Sequence, residues 1–120
     1  MATFTGKRKL SGSTSGMPIK VVATATLGTT IHTAVAGTTV GTFDEIWLFA
    51  FNSDTVDRLL TIEFGGATAP DQNIVVTIAT KSGLMLVVPG LVLQNTLVVT
   101  AFASAANVVT LSGFVNTMTD

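Results

Sequence analysis

From Ser82 to Thr119 the chain carries no ionisable side chain. So long an uncharged stretch has to lie in a membrane or be folded into protein, and the two demand different patterns. A spanning helix needs about 20 mainly apolar residues in a row. Here Pro89-Gly90, Gln94-Asn95, Asn107 and Gly113 cut the stretch into short pieces. Between the cuts stand Val, Thr, Leu and Phe, which suit a pleated, half-buried surface. The stretch therefore reads as several strands, and no membrane partner is expected.

The same punctuation runs back to Ile19. "IKVVATATL" (19–27), "TIHTAV" (30–35), "FDEIWLFAF" (43–51) and "RLLTIEF" (58–64) are followed by "NIVVTIAT" (73–80), "LMLVVP" (84–89), "TLVVTAFA" (96–103) and "NVVTLSGFV" (107–115). Eight short runs spaced by turn residues predict an all-β fold, a sandwich or barrel. No segment sustains a helical apolar period between caps, and 120 residues suffice for one domain. Residues 1–17, "MATFTGKRKLSGSTSGM", differ: a basic cluster and a Ser/Gly run make them a flexible N-terminal arm, with the sandwich domain at 18–120. The arm does not make a signal peptide, because "LSGSTSG" follows the basic residues where an apolar core belongs. Synthesis in a cytoplasm is expected, in keeping with the absence of cysteine.

Side-chain phase predicts which faces are covered. In 58–64, Leu60, Ile62 and Phe64 share one face, while Thr61 and Glu63 share the other, which should be wet. In 45–51, Ile46 and Leu48 lie on one face and Trp47, Phe49 and Phe51 on the opposite one. A strand apolar on both sides needs cover beyond its partner sheet. Hydrophobic residues make up 48% of the chain and charged residues 11%, against about 25% charged in ordinary globular proteins. Both observations predict a homo-oligomer with Trp47, Phe49 and Phe51 at the contact.

The inventory for catalysis is thin, and no enzyme is expected. The lone histidine, His32, has no carboxylate at local spacing, and no G-x-S-x-G elbow is present. "NSDTVD" (52–57) has some oxygen ligands for Ca²⁺ but not the EF-hand set, and reads as a turn. "GTTVGT" (37–42) and "FGGATAP" (64–70) match no phosphate-binding motif, and "GGATAPDQ" is a strand connection. No cofactor or metal is expected. Trp47 as a sugar-stacking platform is less favoured than Trp47 in the core or at a subunit contact. A net charge of −1 gives no general attraction to nucleic acid.

"LGTTIHTAVAGT" (27–38), "FDEIWLFAFN" (43–52), "LTIEFGGATAPDQNIVVTI" (60–78), "SGLMLVVPGLVL" (82–93) and "VVTAFASAANVVTLSGFVN" (98–116) resemble small virion proteins of tailed bacteriophages, of the capsid decoration or cement kind. The resemblance implies a β-sandwich, jelly-roll-like and commonly trimeric, on the outer surface of an icosahedral head. Its partner there is the major capsid protein, whose subunits it bridges. The arm is then expected to attach the chain to the shell, with Phe4 and Leu10 as anchors and Lys7, Arg8 and Lys9 facing acidic capsid surface. The alternatives are a tail or fibre module that recognises a glycan and a connector-type ring protein.

Overall fold

The computed structural model describes residues 3–120 as two antiparallel sheets packed face to face, without helix. The strands are β1 (Thr3–Lys9), β2 (Ile19–Lys20), β3 (Thr29–Thr33), β4 (Phe43–Asn52), β5 (Arg58–Phe64), β6 (Asn73–Ile78), β7 (Met85–Leu93), β8 (Val98–Ala103) and β9 (Val109–Thr119). One sheet runs β1-β9-β4-β7 with β2 also on β9, and the other runs β3-β8-β5-β6. Without β1, the orders β2-β9-β4-β7 and β3-β8-β5-β6 are those of a jelly roll. All eight runs found by spacing contain a strand.

The core forms where the two inner faces meet. Strand β4 alternates without interruption: Asp44, Ile46, Leu48, Ala50 and Asn52 point inward, and Phe43, Glu45, Trp47, Phe49 and Phe51 outward. Leu111 and Val115 of β9 and Val88 of β7 complete the first inner face. Leu60, Ile62, Val99, Ala101, Ile31 and Ile78 supply the second. Each large aliphatic side chain fully buried there stabilises the fold by roughly 1.5–3 kcal/mol.

Three local departures from the sequence reading have physical causes. Strand β2 ends at Lys20 rather than running to residue 27, because the chain leaves the sheet and crosses to the other layer. Strand β7 continues through Pro89-Gly90 as an edge strand, where a missing N–H is tolerated. Gly90 has φ near +78°, and a Cβ there would meet the Trp47 ring. The third departure is the arm.

Residues 3–17 do not hang free. Strand β1 pairs antiparallel with β9 from Thr3↔Thr119 to Lys9↔Phe114. Leu10 follows, 1% exposed and packed in the core, so it is closed off as an anchor for another protein. Next, the Gly12 N–H donates to the Ile31 carbonyl (2.9 Å), carrying the segment onto the second sheet. The cause is main-chain demand. Strand β9 spans 109–119, and β2 pairs with it only at Thr110 and Leu111, so its C-terminal half needs another partner. Residues 1 and 2 of the expected arm lie outside the described residues.

Leu10→Ala should therefore lower stability by about 2–4 kcal/mol, as a core truncation does, read from the midpoint of urea unfolding. A free arm would leave the midpoint unchanged.

Candidate functional site

Two buried polar clusters tie the crossing segments to the sandwich. His32 on β3 and Asp44 on β4 meet across the layers, Nε2 to Oδ2 at 2.7 Å. The carboxylate also accepts from the Thr117 hydroxyl (2.7 Å) and the Val35 N–H (3.1 Å). His32 Nδ1 accepts the Ser11 main-chain N–H at 3.0 Å. A main-chain N–H can only donate, so the ring proton sits on Nε2 and goes to Asp44. With both nitrogens engaged, the ring has no lone pair left for a substrate. A cleft of about 340 Å³ opens beside the pair, with Arg8 and Lys9 at its rim. The Ser11 N–H on Nδ1 and the Asp44 carboxylate on Nε2 make the ring a latch between the N-terminal segment, β3 and β4. Sequence spacing missed Asp44 because the partner comes from another strand.

The second cluster overturns the expected wet face of β5. Glu63 is 0% exposed, covered by the crossing segment 22–28. Its Oε1 accepts from the Thr100 hydroxyl (2.6 Å) and the Gly28 N–H (2.8 Å), and its Oε2 from the Thr26 hydroxyl (2.8 Å). Burial pushes the carboxyl up, but the Thr100, Gly28 and Thr26 donors together outweigh it and hold Glu63 below its ordinary value. An added Cβ at Gly28 would run into the Ala101 main chain, so the close approach of this segment to β8 needs glycine.

The turn reading of 52–57 holds in its geometry. Asn52 Oδ1 accepts the Asp54 N–H, and Arg58 pairs with Asp54. Among the described residues no group of three metal-ligating side chains converges, and no helix is long and apolar enough to cross a membrane.

The strongest candidate is a surface, the outer face of the first sheet. Phe43, Trp47, Phe49 and Phe51 of β4 stand half-buried on it, with Phe114 and Met118 of β9 beside them. On β7, Leu86 and Pro89, opposite Phe49 and Trp47, are exposed. The Trp47 and Phe114 rings stack with centroids 6.2 Å apart, and Lys7 Nζ lies 4.2 Å from the Phe114 centroid. Glu45 Oε1 accepts both the Trp47 indole N–H and the Asn116 amide at 2.9 Å. The indole first, then the amide, hold the Glu45 carboxyl below its ordinary value despite some desolvation.

Trp47, Phe49 and Phe51, expected at a contact, thus share one face. Trp47 is not core, and it has polar neighbours from its own strand, Glu45, and from β9, Asn116. Phe4 is 57% exposed on β1, and Lys7 joins the aromatic group. Lys9 donates to the Ser13 carbonyl (2.9 Å), and Arg8 lines the cleft. Phe114, Asn116 and Glu45 were missed; the alternation of Ser112, Phe114, Asn116 and Met118 in β9 was the available signal for the first two, and the shared phase of Glu45 and Trp47 in β4 for the third. Comparison with protein-family models, curated proteins and solved structures gave no match to this chain.

Glu63 yields a test of the second latch. Its folded pKa lies below the unfolded one, so its ionised form stabilises the fold above about pH 4.5. That contribution fades as the pH falls through the lower folded value. Glu63→Gln keeps an acceptor oxygen but cannot titrate. The urea midpoints of the wild type and Glu63→Gln should differ at neutral pH and converge on acidification. A gap independent of pH would contradict the assignment.

Proposed function

We propose that this chain is a structural virion protein that decorates the outside of an assembled phage head, docking through the aromatic face of its first sheet. The observation that carries the reading is that face itself: Trp47, Phe49, Phe51 and Phe114 lie contiguous and half-exposed on a rigid sheet. Aromatic side chains give large contact area at low conformational cost and dominate protein interfaces. Beside them Lys7 stands on an edge strand, its ammonium over the Phe114 ring, a charge that suits acidic shell surface. A small rigid body repeated over a shell gains from many weak contacts, each reinforced by the others. The resemblance of the sequence to decoration proteins supports the same reading.

A glycan-binding tail or fibre role is the second reading, and one observation favours it. The Trp47–Phe114 stack is flanked by Glu45, Asn116 and Lys7, the mixture of ring and polar groups that a sugar platform uses.

Cosedimentation with heads built from the cognate major capsid protein distinguishes the two. The intact chain should bind saturably, and Trp47→Asp should lower affinity by ~30-fold or more while the circular dichroism spectrum stays β. Replacing Lys7, Arg8 and Lys9 by Gln should weaken binding less, and mainly at low salt, because exposed charges are screened. Absence of head binding together with a Trp47-dependent hit on a glycan array would favour the second reading.

A further inference from the structure

We propose that the free edge of β6 is a self-association site, where a second copy of this chain pairs antiparallel about a two-fold axis at Val75. Three of the four sheet edges are guarded against pairing. Strand β1 carries Lys7, Arg8 and Lys9 and a register shift beside Gly6. Strand β7 carries Pro89 and two register shifts. Strand β3 is irregular at Ile31, and its outer side is bonded by Gly12 and Ser11. Strand β6, "NIVVTI", has no charge and no proline, and its ladder with β5 runs from Arg58↔Ile78 to Glu63↔Asn73 without a shift. Such an edge is a template for another strand.

The main-chain directions follow from neighbouring bonds. Leu59 exchanges its N–H and C=O with Ser104, on the β8 side, and the Phe64 N–H donates to the Gln72 carbonyl. By antiparallel alternation, Ile74, Val76 and Ile78 bond β5, while Val75 and Thr77 turn their N–H and C=O groups outward and Asn73 its C=O, the Asn73 N–H donating to the Pro70 carbonyl (3.3 Å). A two-fold axis at Val75 sets Val75 against Val75 and Asn73 against Thr77, closing ~4 main-chain hydrogen bonds, since each Asn73 N–H stays on its own Pro70 carbonyl.

Three features commit the edge to a second copy. Directly opposed residues keep their faces, so the 56%-exposed Val75 side chains meet on the outside and Ile74 meets Val76 on the inside. The turns also complement each other, since the loop carrying Asp71 of one copy falls beside that carrying Lys81 of the other, at both ends. Finally, Asn73 Oδ1 is the one buried side-chain polar atom without a hydrogen-bond partner among the described residues. In this register a Thr77 hydroxyl from the second copy stands across the strand on the same face.

Sedimentation velocity and native mass spectrometry at micromolar concentration test the pairing in solution, independently of any binding to heads. The wild type should hold an even number of copies. Val75→Pro deletes the N–H at the axis and no bond of the β5–β6 ladder, and should raise the dissociation constant at least ~10-fold. Val75→Cys, in a chain without cysteine, should form a disulfide-linked dimer on mild oxidation, well above the collision level of Val40→Cys at a 93%-exposed loop site. A monomeric or odd-numbered wild type overturns the proposal, as does Val75→Cys that crosslinks no faster than Val40→Cys. Either result leaves the head-binding reading to its own assay, and a dimer that ignores heads overturns that reading alone.

Discussion

The main chain of β9 is the constraint around which the rest of the molecule is arranged. It is an 11-residue strand inside its sheet, so both of its edges need partners along their length. Strand β4 satisfies one edge from Phe43↔Met118 to Asn52↔Val109. The other edge is divided between β2 and β1, which lie far apart in sequence from β9. That division fixes the path of the N-terminal segment, and this path seats Leu10 in the core and Ser11 on His32. One strand's hydrogen-bonding capacity therefore determines the closure of the sandwich at that end.

Strand existence was legible in the sequence because each run carries its own record of burial. The alternation in 43–52 reproduces residue by residue in the fold, and turn residues bracket every run. Features that depend on a remote partner were not legible. Thr3–Lys9 looks like linker because it carries a basic cluster and only one large apolar side chain, while the groups that place it are main-chain amides that composition does not report. Glu63 looks solvated from its phase, yet three donors from two other segments bury it. His32 looks isolated because Asp44 reaches it from another strand. The candidate face was half legible: Trp47, Phe49 and Phe51 declare it within one strand, whereas Phe114, Asn116 and Lys7 join only through sheet register.

These distinctions bear on how a chain so poor in charge presents itself. Of its few charged groups, Asp44 and Glu63 lie inside the latches and Glu45 and Lys7 beside the aromatic face, while most of the others stand at turns and strand ends, as the Asp54–Arg58 pair does. The rest of the surface relies on Thr, Ser and Ala for contact with water.

The latches give the molecule two kinds of fastening with different failure modes. The strands are held by apolar packing, which gives way cooperatively with the whole core. The crossing segments around Ser11 and Thr26 are held instead by discrete polar bonds at the perimeter. Such a perimeter can come loose while the sandwich stays closed, as local openings do in many folds. Release of 22–28 would uncover Glu63 and the outer side of β5 and β8, a surface otherwise hidden. One layer thus wears a cover fastened by polar bonds, and the other presents its aromatic rings half-exposed.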